Sequence, residues 1–189
     1  MLDDEQIKEL LYSAIENIGR EKIRSEVTLN IDLSQRYIDI LTDKFFGKII
    51  YELKEDYDDS TIGTFCEALL HFMLTISTLP SQRKIRTKND LTVDIIIPNT
   101  RTLKTNPDKS IIIQIIKDET TDLDKISELE YLQPNYKSIW IINAGSILST
   151  TYRVYSLLPD LELRGYSNII VDINNFLKET GDKSLRFVH

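Results

Sequence analysis

The sequence predicts an α/β fold, a central mixed β-sheet flanked by helices. Three near-continuous apolar runs, SIIIQIIK (110–117), SIWIINA (138–144) and NIIVDI (168–173), have the composition of strands buried on both faces. Stretches of helical spacing separate them, so parallel crossovers are the expected connections. With 189 residues the chain is long enough to bury a sizeable core in one unit.

Taken in order, residues 4–18 place Ile7, Leu10, Leu11, Ala14, Ile15 and Ile18 at helical spacing, with acids in the first turn and Gly19 as a stop. VTLNIDL (27–33) alternates and predicts a half-buried strand. Ser34 is the expected cap of a helix with Tyr37, Ile38, Leu41, Phe45, Ile49 and Leu53 on its apolar face, bent at Gly47. EDYDDS (55–60) is a solvated turn that lacks the glycine and spaced oxygens of a calcium loop. Residues 61–78 form a helix with Ile62, Phe65, Leu69, Phe72, Met73 and Ile76 on one side; Glu67 and His71 sit one turn apart on the other. Short strands follow around RKIRT (83–87) and LTVDIIIP (91–98), joined by a turn at Asn89-Asp90. Residues 99–109 read as a loop, 122–133 as a helix ended by Pro134, 147–158 as a helix, and NNFLKET (174–180) as a short closing helix. The expected organisation is an N-terminal helical extension, 1–56, packed on an α/β core, 57–189.

Net charge is −7 with a pI near 4.9, which excludes indiscriminate nucleic-acid binding by the whole surface. One stretch runs against that balance. Between Ser81 and Ser110 lie Arg83, Lys84, Arg86, Lys88, Arg101, Lys104 and Lys109, against Asp90, Asp94 and Asp108. A solvated charged surface is the plainer reading of the basic residues from Arg83 to Lys104, with contacts to DNA phosphates as the alternative. No apolar run reaches the ~20 residues of a membrane span, and the acidic start does not resemble an export signal, so no membrane partner and a cytoplasmic location are expected. The single cysteine, Cys66, excludes an internal disulfide and a cysteine metal cluster; it reads as a small buried hydrophobe. His71 and His189 are the only histidines, which removes histidine-rich metal sites and histidine relays. Six glycines and five prolines suit a stiff, heat-stable protein.

The order from residue 61 onward, a helix, a three-strand meander, a helix and a further strand, resembles the core of the PD-(D/E)XK superfamily, the restriction-endonuclease-like proteins. The resemblance covers residues 61–144. It places Asp94 where the second-strand aspartate belongs, preceded by valine rather than proline. Glu67 lies on the preceding helix and Lys117 at the end of the third strand. The resemblance implies that Asp94, with Glu67 assisting, would bind Mg²⁺, and that Lys117 would orient the attacking water. The acid two residues before the lysine is replaced by Ile115, and Gln114 stands one position earlier. By strict alternation Gln114 and Lys117 face opposite sides, so a bulge at 114–116 is required to bring Gln114 into such a site.

Two functions follow. One is a catalytically degenerate member of that fold acting through protein or nucleic-acid contacts, with no cofactor and a homodimer as a candidate assembly. The other is a Mg²⁺-dependent nuclease using Asp94, Gln114, Lys117 and Glu67. Each residue also has a plainer reading: a hydrogen-bonded buried carboxylate for Asp94, a satisfied core amide for Gln114, a strand-end charge for Lys117 and a solvated helical acid for Glu67. INAGSIL (141–147) puts a glycine and a serine between a strand and a helix, so a Rossmann-like three-layer sheet with a phosphate site is the alternative fold.

Overall fold

The computed structural model describes residues 2–53, 56–87, 91–117, 126, 128–144, 151–157 and 164–181. Helix α1, Asp4–Ile18, is capped by Asp3, whose carboxylate accepts the backbone N–H of Glu5 at 3.0 Å and of Gln6 at 2.8 Å. Gly19, at φ +102°, turns the chain into α2, Arg20–Leu29. The strand expected at 27–33 is therefore the end of a helix and the turn after it. Ile23 and Val27 are buried four residues apart, one helical face, while Leu29 in the alternating run is 86% exposed. Helix α3 spans Leu33–Gly47 and continues as a wider π-type turn over Lys48–Leu53. Asp32, not Ser34, occupies its cap position; Ser34 is buried inside the first turn. Helix α4, Asp59–Ile76, is capped by Asp58, which accepts the Thr61 N–H at 2.8 Å.

The sheet has six strands in sequence order: β1 Gln82–Arg86, β2 Thr92–Ile97, β3 Ile111–Ile116, β4 Ile139–Asn143, β5 Arg153–Ser156 and β6 Arg164–Gly165. The first three form an antiparallel meander, and β3 to β6 run parallel. The expected loop 99–109 contains a short helix α5, Thr100–Thr105, capped by Asn99, and a turn of 3-10 helix at Pro107–Lys109. Ile126, Glu128 and Leu129 are helical as expected; 118–125 and the Asn89-Asp90 turn lie outside the described residues.

Two elements exchange roles relative to the sequence expectation. Strand β5 lies within the stretch read as a helix, and helix α6, Ile169–Glu179, covers the stretch read as a strand. Ile169, Ile170, Ile173 and Leu177 make a helical face buried in the core, and NNFLKET is its continuation rather than a separate helix.

One face of the sheet looks into the core that it shares with α1, α3, α4 and α6. Ile95, Ile97, Ile111, Ile113, Ile115, Trp140, Ile142 and Tyr155 share a core cluster with residues of all four helices. Phe45 of α3 stacks on Phe65 of α4 with ring centroids 4.2 Å apart. The opposite face carries Val93, Ile96, Ile112 and Ile139 under Leu103 and Leu129, and Ile116, Ile141 and Val154 under Ile126. Each such side chain contributes roughly 1.5–3 kcal/mol on full burial. The apolar pattern of β3 and β4 is thus explained by cover on both faces. Tyr166, at the entry to α6, donates its hydroxyl to the Cys66 carbonyl at 2.6 Å, tying this end of the chain to the middle of α4.

Candidate active site

The β2–β3 ladder pairs Ile97 with Ile111, Ile96 with Ile112 and Ile95 with Ile113, and ends one position before Asp94 would face Gln114. Side chains take over where the ladder stops. Gln114 Nε2 donates to Asp94 Oδ2 at 2.7 Å, the Ile115 N–H donates to the same oxygen at 2.9 Å, and the Asp94 N–H reaches Gln114 Oε1 at 3.4 Å. Asp94 as a whole residue is 8% exposed and Gln114 4%. Burial of this kind is tolerable because both groups are hydrogen-bonded.

The other carboxylate oxygen meets β1. Arg83 pairs with Ile95 and Ile85 with Val93, leaving Lys84 directly across from Asp94. Lys84 is in the left-handed region at φ +49°. Its Nζ lies 2.8 Å from Asp94 Oδ1 and 2.9 Å from Glu67 Oε1, so one ammonium joins two carboxylates from different elements. Glu67 Oε2 continues to Lys117 Nζ at 3.2 Å, and Lys117 donates to Thr64 Oγ1 at 3.0 Å. Thr64 passes the chain on to Asp4 Oδ1 at 3.0 Å. Helix α4 thus supplies Thr64 and Glu67 one turn apart on the side facing the sheet, and Gly63 leaves room for the Lys117 stem. A Cβ at Gly63 would lie 2.6 Å from Lys117 Cγ.

Burial acts to raise the Glu67 pKa, but hydrogen bonds and charge from Lys84 and Lys117 outweigh it and hold the carboxyl below the ordinary glutamate range. Burial likewise acts to lower the Lys84 pKa, and the bonds to Asp94 and Glu67 carry it above the ordinary lysine range. Both groups are held in their charged forms.

All four residues singled out in the sequence, Asp94, Gln114, Glu67 and Lys117, join one polar network. The route differs from the expected one. No bulge exists at 114–116, because β3 keeps an unbroken parallel register with β4 from Ile112–Ile139 to Ile116–Asn143. Gln114 reaches the network because Asp94 sits in the gap between two parting strands rather than on one face. Ile115, at the expected acid position, is 3% exposed and packs in the α4-side core. His71 stays outside the network; its Nδ1 lies 3.4 Å from Thr75 Oγ1.

Lys84 is the residue that sequence reasoning assigned elsewhere, to the basic surface. The signal was present: a hairpin turning symmetrically about residue 89 places 84 opposite 94. Arg86, Arg101 and Lys104 are exposed, and Lys88 lies outside the described residues. Arg86 and Lys104 flank a groove of about 530 Å³ floored by Val93, Ile96, Leu103 and Leu132, on the sheet face away from α4. Gly145 and Ser146 of the Rossmann-like alternative also lie outside the described residues. Among the described residues no helix is long and apolar enough to cross a membrane.

No family model and no curated protein matches the chain. Solved structures do. The chain is similar to the restriction endonuclease PspGI in its complex with substrate DNA, with a TM-score of 0.63 at 14% identity, covering 92% of this chain and 93% of that one. It is also similar to metal-depleted Ecl18kI with uncleaved, modified DNA, with a TM-score of 0.57 at 11% identity, covering 100% of this chain and 88% of that one. The meander followed by parallel strands, the helix α4 across its face and these likenesses agree: the chain has a restriction-endonuclease-like fold.

Proposed function

We propose that this chain acts on DNA as a divalent-metal-dependent nuclease whose reaction centre is Asp94, Glu67, Gln114 and Lys117. The observation that carries the reading is that Asp94 and Glu67, from different elements, aim an oxygen each at one nitrogen, 2.8 and 2.9 Å away, with Lys117 beside them. Two hard carboxylate donors sharing one cation position suit Mg²⁺. The donor set is short, since no group of three or more acids, histidines or cysteines gathers among the described residues. Mg²⁺ bound there would polarise a phosphate and lower the pKa of a water. The protein groups have separable tasks. Gln114 and the Ile115 N–H fix the orientation of Asp94, Glu67 supplies the second carboxylate, and the Lys117 ammonium orients the attacking water. Arg83, Arg86, Arg101 and Lys104 supply phosphate contacts outside the centre. The DNA held by the similar structures supports the choice of substrate.

A second reading, DNA binding without cleavage, is favoured by Ile115 in the acid position and by Lys84 between the carboxylates. Supercoiled DNA incubated with Mg²⁺ or Mn²⁺ and either the wild-type chain or Asp94→Ala separates the two. The nuclease reading expects nicking by the wild type and a loss on the order of 100-fold or more in the variant, with DNA binding retained. DNA bound by both proteins and cut by neither would establish the second reading instead.

A further inference from the structure

We propose that Lys84 is the resident cation of this centre, and that a divalent ion enters by displacing its ammonium group. The inference deepens the nuclease reading and rests on it. Two carboxylates brought this close repel unless a positive charge sits between them, and Lys84 Nζ occupies that position at 2.8 Å from Asp94 and 2.9 Å from Glu67. The backbone is bent to put it there. A side chain in the left-handed region carries a backbone cost, and Lys84 adopts φ +49° with regular ladder pairs on either side of it. That cost is offset by neutralising two acids at once.

The two lysines of the network differ in how firmly they are held. The stem of Lys117 lies against Gly63, and its ammonium bonds both Glu67 and Thr64. The Lys84 side chain is 49% exposed, while the carboxylates it joins are 10% and 17% exposed. Lys84 therefore has a path into solvent, whereas Asp94 is held in place by Gln114 and the Ile115 N–H. An arriving ion would take over both carboxylate oxygens as Lys84 swings out, leaving Lys117 at its post. The ammonium thus acts as a competitor: it holds the acids in register when metal is scarce and weakens apparent metal affinity.

Calorimetric titration of Mn²⁺ into the full chain, Lys84→Met and Lys84→Asn tests this. Methionine keeps the length without the charge; asparagine also removes the charge and tolerates the left-handed backbone. The expected result is Mn²⁺ affinity at least ten-fold tighter in the variants than in the wild type, with a lower melting temperature before metal is added and a larger rise after. Equal or weaker affinity in a variant that melts cooperatively overturns the role of Lys84; nicking by the wild type in the same preparation would leave the nuclease reading standing. No Mn²⁺ binding by any of the three, with no nicking, overturns both. A purely structural Lys84 would lower the melting temperature without tightening metal binding.

Discussion

Glu67 and Lys84 each reinforce the other's charged form, Lys84 together with Asp94 and Glu67 together with Lys117. Glu67 has its pKa depressed, so its contribution to stability is full above the ordinary glutamate range and is lost as pH falls through the folded value. Lys84 has its pKa raised, so its contribution is full below the ordinary lysine range and is lost as pH rises through the folded value. The pair therefore stabilises the fold between about pH 5 and about pH 10, given unperturbed values near 4.3 and 10.4. Half-exposure of Lys84 keeps the effect modest and salt-sensitive. Melting temperatures between pH 3 and 7 should fall less steeply for Glu67→Gln than for the wild type, with the variant already lower at pH 7. Parallel acid limbs would show that the ion pair is not formed in solution. The same residues explain what the sequence disclosed of the site. Asp94, Gln114 and Lys117 were conspicuous as polar groups in apolar strands. Lys84 was not, because a lysine on an exposed, basic strand looks like surface until its cross-strand partner is identified.

Gly63 of α4 faces the stem of Lys117, the residue after β3, so the helix carries a glycine where space is short. Gly63→Ala gains about 1 kcal/mol of helix propensity, but its Cβ would meet Lys117 Cγ at 2.6 Å, and such overpacking costs about 1–3 kcal/mol. The melting temperature should fall modestly while the Lys117 ammonium is pushed off Glu67 and Thr64. Nicking should drop by about ten-fold or more if Lys117 serves the reaction. Unchanged nicking would remove Lys117 from the centre. At this scale the sequence was legible wherever a long periodic face was present, as in α1, α3 and α4, and wherever strands were buried on both sides, as in β3 and β4. It misled in three short stretches. VTLNIDL alternates over too few residues to outweigh the helix formers of Arg20–Glu26 before it. RVYS in β5 is too short to show any period. NIIVDI has the composition of a buried strand, yet its isoleucines serve a helix whose whole inner face is buried, and periodicity alone does not separate the two.

The helices before residue 56 and the sheet after it share one core cluster, from Ile7 in α1 through Phe65 in α4 to Leu177 in α6. With the core shared in this way, we propose that the extension, 1–56, and the core, 57–189, unfold as a single cooperative unit. The structure also carries the means to test that. Cys66 is the sole thiol, buried at 1% exposure under the Tyr166 contact, and burial pushes its pKa well up despite the nearby charge of Lys117. In native buffer a thiol reagent should modify it only as fast as the molecule opens. If the helices and sheet unfold together, the denaturant dependence of that rate matches the global unfolding rate; much faster labelling in native buffer would mean that α6 lifts from α4 on its own. Because nothing has to be engineered in, the protein reports its own lifetime: once the reagent is concentrated enough to outpace reclosing, the interval before Cys66 reacts measures how long the wall behind Glu67 stays closed.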